Sequence, residues 1–204
     1  MQEQSCQGML HPVILTVPDT IQSWMGRRRV RALSRLARAA ARQSARRAGG
    51  RLGNLRKSEE GVPLPSSGWY WSVAHKTVFV AGVAGPGPLG IDIEPVHPRS
   101  SKLFRKIADQ GEWRLGNEDE WHLFYRFWTA KEAVLKAAGV GLKGLSHCRV
   151  IAIENPSRLS LAYKGRVWPV EQQLRHGHLA AVTSEKLPVC WVWPEDARRP
   201  KAQG

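Results

Sequence analysis

The sequence predicts an α+β protein made of two halves, residues 1–95 and residues 96–204. Three observations lead to this prediction. Helix-like and strand-like patterns follow one another in the order strand, helix, strands and then helix, strands. Hydrophobic residues make up 42% of the 204 residues, which is enough for a sizeable buried core. Pro95 stops a strand-like run near the middle of the chain and marks the boundary.

The first half is predicted to contain one long helix and four strands. Within residues 27–48 small and apolar residues recur at helical spacing, and the pair Gly49-Gly50 is typical of a helix end. Residues 52–68 are rich in Gly, Pro, Ser and charge, so we predict a loop there. Runs of β-branched and aromatic residues predict strands at 11–17, 69–73, 78–83 and 89–94.

The second half is predicted to contain two helices and four short strands. The helices cover 101–108 and about 118–138, and the second ends before Gly139 and Gly141. The predicted strands are 148–153, 159–163, 178–183 and 189–192. The polar tail from Pro194 is expected to fray.

The charge of the chain is unevenly distributed. The formal net charge is +14, and residues 27–51 contain ten arginines and no acidic residue. Five of the arginines form a stripe along one side of the predicted helix: Arg31, Arg35, Arg38, Arg42 and Arg46. Such a stripe suits a solvated helix face, a nucleic-acid surface, or a site for a phosphorylated cofactor and an acidic protein. The helix lacks aromatic residues that would stack on bases, which counts against single-stranded nucleic acid.

Several classes of protein are not expected from this composition. No apolar run approaches the roughly 18 residues of a membrane-spanning helix. Cys6, Cys148 and Cys190 are widely spaced, which argues against a disulfide framework or a zinc knuckle. The first ten residues lack the pattern of a secretory signal. We therefore expect a cytoplasmic protein with anionic partners.

Two carboxylates occur at the end of a predicted strand, in the segment GIDIE of residues 90–94. Side chains alternate along a strand, so Asp92 and Glu94 point to the same side and can converge on one cation. The alternative is an ordinary strand whose polar residues face solvent.

A second pattern lies on the long helix of the second half, in the segment WTAKEAVLK of residues 128–136. Trp128, Glu132 and Lys136 are four residues apart and share one helix face. The alternative is a surface Glu–Lys pair beside a core tryptophan. Taken with Asp92 and Glu94, however, Glu132 completes an all-oxygen set of ligands suited to Mg²⁺, an ion that usually also binds substrate phosphates.

The two segments, separated by 33 residues, resemble the paired signature of the 4′-phosphopantetheinyl transferase superfamily, G-(I/V)-D-(I/V)-E and W-x-x-K-E-x-x-x-K. The layout is most similar to the pseudo-dimeric, surfactin-synthetase-activating-like class, in which one chain supplies both halves. The resemblance covers about residues 61–142, and beyond that range only the layout agrees. It implies an α+β fold whose two similar halves pack as a pseudo-dimer.

The resemblance also implies an activity and a set of residue roles. Family members transfer the 4′-phosphopantetheine arm of coenzyme A to a serine of a carrier protein and release adenosine 3′,5′-bisphosphate. By resemblance, Asp92, Glu94 and Glu132 would hold Mg²⁺ against the pyrophosphate. Lys136 would neutralise or protonate the leaving phosphate. Glu132, or a water on the metal, would accept the serine proton.

Further roles follow from the same resemblance. His75 would contact a phosphate of coenzyme A, and Lys131 would help to position the nucleotide or the helix. Arg28 and Arg31 are candidates for binding the 3′-phosphate. The expected partner is an acidic apo carrier protein of fatty acid, polyketide or non-ribosomal peptide synthesis, and the expected state is a monomer that binds neither membrane nor nucleic acid.

The chain departs from the family pattern at the nucleotide end. The family often has Gly-Lys-Pro before the histidine strand, whereas this chain has Gly61-Val62-Pro63. Many members have Ser-His where this chain has Ala74-His75. Two alternatives stand beside the transferase: a basic nucleic-acid-binding protein, which the ten arginines of residues 27–51 suggest, and a non-catalytic member of the family.

Overall fold

The computed structural model describes residues 8–185 and 187–194 and has the predicted α+β architecture, with two sheets. The α-helices are α1 (Asp19–Gln22), α2 (Gly26–Arg47), α3 (Phe104–Ile107), α4 (Gln110–Trp113) and α5 (Glu120–Ala137). The strands are β1 (Val13–Thr16), β2 (Tyr70–His75), β3 (Phe79–Gly85), β4 (Ile91–Pro95), β5 (Arg149–Asn155), β6 (Arg158–Tyr163), β7 (Arg166–Arg175) and β8 (His178–Thr183). Short 3₁₀ turns cover Ser101–Leu103 and Gly141–His147.

The first sheet contains β1, β3 and β2 in that order, and both pairings are antiparallel. Helix α2 packs on this sheet through small buried residues that include Ala37 and Ala41. The approach is close because β3 has Gly82 at the crossing, where a Cβ would lie 2.3 Å from the backbone nitrogen of Ala41. The Oγ of Ser44 also accepts a hydrogen bond of 3.0 Å from the backbone N–H of Ala84. These contacts leave the arginine-rich side of α2 on the outside.

The second sheet has the order β4, β8, β7, β6, β5, and every pairing is antiparallel. Helix α5 packs on it, and Phe127 and Leu135 of the helix join Leu161 of β6 in the main buried core. Gly90, just before β4, lies directly against the helix. A Cβ at Gly90 would be 1.9 Å from the carbonyl oxygen of Ala133, so the close packing of β4 on α5 requires glycine.

Strand β4 connects the two parts of the molecule. It pairs only with β8 of the second sheet among the described strands. Its other side chains, Ile91 and Ile93, pack with residues of the first sheet that include Ile14 and Ala81. The backbone N–H of Ile91 also donates a hydrogen bond of 3.2 Å to Ser72 Oγ of β2. The domain boundary after residue 95 stays a prediction, but the strand that precedes it belongs to the second sheet.

The structure confirms the long helices and most of the strands, and it corrects the sequence-based outline in several places. Strand β7 was not predicted, because Pro169 and the polar pair Gln172-Gln173 conceal its pattern. The predicted strand 189–192 forms only isolated bridges, from Val189 to Leu10 and from Val192 to Val13. The predicted helix 101–108 is divided into a 3₁₀ turn and α3.

Other expectations concern cysteines, the tail and the membrane. Cys148 and Cys190 are both free, while Cys6 lies outside the described residues, as does the tail from residue 195. Of the helices in the described part of the chain, none combines the length and the apolar character needed to span a bilayer.

Candidate active site

Asp92 and Glu94 lie on the side of β4 that faces α5, and both are buried, with 4% and 5% of their surface exposed. Two side chains of α5 contact them directly. The indole Nε1 of Trp128 donates a hydrogen bond of 2.9 Å to Glu94 Oε1. The ammonium of Lys136 lies 2.7 Å from Asp92 Oδ1 and also donates a 3.0 Å hydrogen bond to the carbonyl oxygen of Ile91. These two contacts, at Glu94 and at Asp92, fix the position of α5 relative to β4.

Glu132 lies on the same face of α5, one turn after Trp128 and one turn before Lys136, so it sits between the two contacts with β4. Partial burial raises the pKa of Glu132, and the nearby negative charges of Asp92 and Glu94 raise it further. Glu132 is thus close enough to Asp92 and Glu94 for their charges to act on it, and a shared metal site for the three stays a prediction.

The pKa of Asp92 is raised as well, mainly because the side chain is buried. The positive charge of Lys136 acts in the opposite direction, and the negative charge of Glu94 adds to the rise. Asp92 Oδ2 is buried and makes no hydrogen bond with any described residue. A buried carboxylate oxygen without a partner is an open position for a positively charged ligand.

Lys76 is a member of this site that the sequence analysis did not identify. Its ammonium lies 2.6 Å from Glu94 Oε1, the same oxygen that accepts the indole hydrogen bond of Trp128. The only sequence signal was its place in the basic turn next to His75. Lys76 and Lys136 together supply two positive charges to three carboxylates.

As they stand, no three His, Cys, Asp or Glu side chains within residues 8–185 and 187–194 form a group that could hold a metal ion. The ion pairs explain this arrangement, because an ammonium lies on one oxygen of Asp92 and on one oxygen of Glu94. The residue types and the open Asp92 Oδ2 nevertheless suit Mg²⁺, which takes carboxylate oxygens as ligands. A cation that used Asp92 Oδ1 or Glu94 Oε1 would have to displace Lys136 or Lys76 from that oxygen.

His75 is the last residue of β2 and lies beside the lysines of the site. Burial around its ring lowers the pKa of His75, and the positive charges of Lys136, Lys76 and Lys57 lower it further. His75 is therefore close to lysines that border the carboxylates. Lys57, whose charge also acts on His75, belongs to the loop before β2.

The structure does not bring Lys131 to this cluster. Its side chain is 1% exposed, and its ammonium lies 2.6 Å from Glu112 Oε1 and 2.6 Å from the carbonyl oxygen of Ile107. The next residue on a helix is rotated by about 100°, so Lys131 points into the second half while Glu132 points to β4. These contacts link α5 to α3 and α4.

Arg28 and Arg31 are exposed on the first turns of α2. The guanidinium of Arg28 stacks 3.8 Å from the ring centre of Trp24, and no ion pair links Arg28 or Arg31 to an acidic residue of the described chain. Neither arginine has a contact with the carboxylates of β4 and α5 in the described structure. Both remain available to an external anion.

The fold and the site define an α+β protein with an acidic centre between a strand and a helix, bordered by basic side chains. Comparison with known sequences agrees with this class. The family model described as 4′-phosphopantetheinyl transferase superfamily matches residues 88–190, which is half of the chain. The chain belongs to the 4′-phosphopantetheinyl transferase superfamily.

Three relatives illustrate the extent of the similarity. A Haemophilus influenzae protein provisionally named 4′-phosphopantetheinyl transferase is 27% identical over 157 residues, which cover 72% of this chain and 66% of the relative. The 4′-phosphopantetheinyl transferase HetI of a Nostoc species is 28% identical over 110 residues, covering 50% and 46%. The 4′-phosphopantetheinyl transferase gsp of Aneurinibacillus migulanus is 26% identical over 92 residues, covering 43% and 39%. The matched regions thus span between about two fifths and two thirds of these relatives.

Proposed function

We propose that this protein transfers the 4′-phosphopantetheine arm of coenzyme A to a serine hydroxyl of a carrier protein. In this reaction the serine oxygen attacks the β-phosphorus of the pyrophosphate, and the bond to adenosine 3′,5′-bisphosphate breaks. The observation that carries the proposal is the contact of Lys136 in α5 with Asp92 of β4, with Glu132 one turn earlier on the same face of the helix. Membership of the superfamily supports the same reaction.

Asp92, Glu94 and Glu132 are the residues that would hold Mg²⁺. When bound, the ion would reduce the negative charge on the pyrophosphate oxygens. Asp92 Oδ2 has no hydrogen bond to give up, so it is the oxygen most ready for a cation. Glu94 would exchange the ammonium of Lys76 for the metal, if it used the oxygen that Lys76 now holds.

Lys136 and Lys76 would then be free to bind phosphate oxygens. Each reaches the site from a different element, α5 and the turn after β2, so they can approach a pyrophosphate from two sides. Lys136 would stabilise the charge that develops on the leaving phosphate, and His75 would contact a phosphate of coenzyme A. Fixed positive groups at the positions where charge develops stabilise a transition state strongly.

We expect Glu132, directly or through a water, to accept the serine proton. Its pKa is raised, so it binds a proton more readily than an ordinary glutamate does. A base with a raised pKa takes the proton of an attacking hydroxyl more effectively, provided that it is ionised at the working pH. Of the predicted roles, we propose for Lys131 only the positioning of α5, because its ammonium is held by Glu112.

The carrier protein is proposed to be acidic and to meet the exposed arginines of α2. The described residues show no ion pair for Arg31 or Arg35. Unpaired guanidinium groups on one surface attract an oppositely charged partner and accelerate its association.

The test is a mass measurement. The full chain is incubated with coenzyme A, Mg²⁺ and a panel of apo carrier proteins, and we expect one of them to gain the mass of the phosphopantetheine arm. Asp92→Asn should abolish the gain, whereas Glu59→Gln in an exposed loop should leave it unchanged. Binding of coenzyme A that is indifferent to Mg²⁺, with no mass gain on any carrier, would contradict the proposal and favour a non-catalytic binding protein.

A further inference from the structure

Arg29 lies on the face of α2 that packs on the first sheet. Leu33 and Ala37, four and eight residues further along the helix, are buried against this sheet. Residues four apart share a helix face, so Arg29 continues the packing face toward the start of α2. Arg28 and Arg31, by contrast, are exposed. The side chain of Arg29 is therefore directed along the sheet and is half-buried.

Arg29 reaches the turn that connects β2 to β3. Its Nη2 donates a hydrogen bond of 2.8 Å to Thr77 Oγ1 in this turn. Its Nε is buried and makes no hydrogen bond with any described residue, and no acidic side chain of the described chain pairs with the guanidinium. The hydroxyl of Thr77 is thus the partner that fixes the end of Arg29.

The same turn holds Lys76, the residue before Thr77. The backbone N–H of Lys76 donates a 2.8 Å hydrogen bond to the carbonyl oxygen of Phe79, which closes the turn. The Lys76 ammonium lies 2.6 Å from Glu94 Oε1. Two adjacent residues of one turn are therefore held by different elements, Thr77 by α2 and Lys76 by β4.

The contact between Lys76 and Glu94 depends on how well the turn is held. The Lys76 side chain is 36% exposed, and ion pairs with an exposed partner are weak because solvent screens them and a long side chain must be ordered. If the backbone of the turn is already fixed, only the side chain loses freedom when the pair forms. The hydrogen bond from Arg29 supplies such a fixation from a long, packed helix.

We propose that Arg29 is a positioning residue for the acidic centre. Through Thr77 it keeps Lys76 on Glu94 Oε1, and it thereby sets how strongly this lysine competes with a divalent cation. The inference rests on the proposed function, which assigns Mg²⁺ to the carboxylates. Neither Arg29 nor Thr77 belongs to the two motifs that predict the site, GIDIE and WTAKEAVLK.

The test is calorimetric titration of the full chain with Mg²⁺ at pH 8 in the absence of coenzyme A. Thr77→Val removes the hydroxyl and keeps the charge and the approximate size of the side chain. We expect Mg²⁺ to bind about two to three times as tightly to this variant, which is less than the roughly fivefold effect expected for Lys76→Met. Thr77→Ser keeps a hydroxyl at the same position, so it is the matched control and should bind Mg²⁺ like the wild-type chain.

A second pair of variants tests the other end of the hydrogen bond. Arg29→Gln should tighten Mg²⁺ binding at least as much as Thr77→Val does. Arg27→Gln removes an equal charge from the same turn of α2, where Arg27 is exposed, and controls for the change in net charge. Equal effects of Arg29→Gln and Arg27→Gln would overturn the inference, because the result would then reflect charge alone.

A double-mutant cycle distinguishes positioning of Lys76 from a general effect on the fold. Thr77→Val introduced into Lys76→Met should leave the Mg²⁺ affinity unchanged, because the side chain that it releases no longer carries a charge. An unchanged or weaker affinity in Thr77→Val alone, or the same increase in both backgrounds, would overturn the inference while the proposed function stands. If neither the wild-type chain nor Lys76→Met binds Mg²⁺, the proposed metal site fails and this inference fails with it.

Discussion

Replacement of Lys76 by methionine should strengthen the binding of Mg²⁺ in the absence of coenzyme A. Lys76 lies 2.6 Å from Glu94 Oε1 and must leave that oxygen before Glu94 can coordinate a metal. The methionine keeps much of the length of the side chain and removes its charge. A competitor for the metal site is thereby lost, while the carboxylates remain.

The size of the effect follows from the position of the pair. Two unit charges about 4 Å apart interact by about 4 kcal/mol at an effective dielectric constant of about 20. The Lys76 side chain is 36% exposed, so solvent screening and the loss of side-chain freedom reduce the net contribution. We take about 1 kcal/mol, which corresponds to Mg²⁺ binding roughly five times as tight.

Calorimetric titration with Mg²⁺ at pH 8 measures this directly. The alkaline pH matters because Asp92 and Glu132 have raised pKa values and must be ionised to bind the ion. Lys164→Met controls for the loss of one positive charge from the molecule. An unchanged or weaker affinity in Lys76→Met would refute the idea that Lys76 competes with the metal for Glu94.

Three further variants test other parts of the structure. Asp92→Asn should lose transfer, while its melting temperature at pH 8 stays the same or rises. A carboxyl whose pKa is raised by folding stabilises the fold only when it is protonated, and this contribution disappears as the pH rises through the folded pKa. A clear fall in melting temperature would contradict this reasoning. Lys131→Met should destabilise the fold by about 3 kcal/mol in urea unfolding, since it leaves Glu112 buried without its partner; normal stability with weaker nucleotide binding would instead assign Lys131 to the substrate. Arg31→Gln combined with Arg35→Gln should raise the KM for the carrier and reduce its salt dependence without changing coenzyme A affinity; an altered coenzyme A affinity would show that these arginines bind the nucleotide.

Asp92, Glu94, Glu132 and Lys136 could be singled out from the sequence because their spacing determines which side of a strand or helix they occupy. Alternation in a strand places Asp92 and Glu94 on one side, and the four-residue interval on a helix aligns Glu132 with Lys136. That the strand and the helix lie against each other is not contained in either pattern. It came from the family resemblance, and in the structure it depends on Gly90, which lets β4 approach the backbone of α5.

Residues of the loops were harder to predict. Lys76 reaches Glu94 from the turn after β2, and no periodicity connects it with β4 or α5. Lys131 shows the opposite case. It lies inside the most specific motif of the sequence, yet its side chain is directed to Glu112, because neighbours on a helix face different directions. The motif therefore predicts the helix correctly. Which of its side chains face β4 is decided by how the helix packs, and Lys136 faces β4 whereas Lys131 does not.

Strand β7 was missed for a related reason. A proline and two glutamines make its sequence look like a loop, and its role becomes visible only when β6 and β8 are placed on either side of it. Gln172 is buried and donates a 2.8 Å hydrogen bond to the carbonyl oxygen of Arg126 in α5. A strand with buried polar residues of this kind has no regular apolar alternation by which it could be predicted.

The position of β4 has a consequence for any attempt to divide this protein. A cut after residue 95 would leave Asp92 and Glu94 on the N-terminal fragment. Strand β8, which pairs with their strand β4, would be on the other fragment. The N-terminal fragment would then present an unpaired, largely apolar edge, which is prone to aggregate. Reassembly of the two fragments would have to rebuild a sheet edge before it could restore an acidic centre, so complementation of separately expressed pieces should be slow and sensitive to concentration.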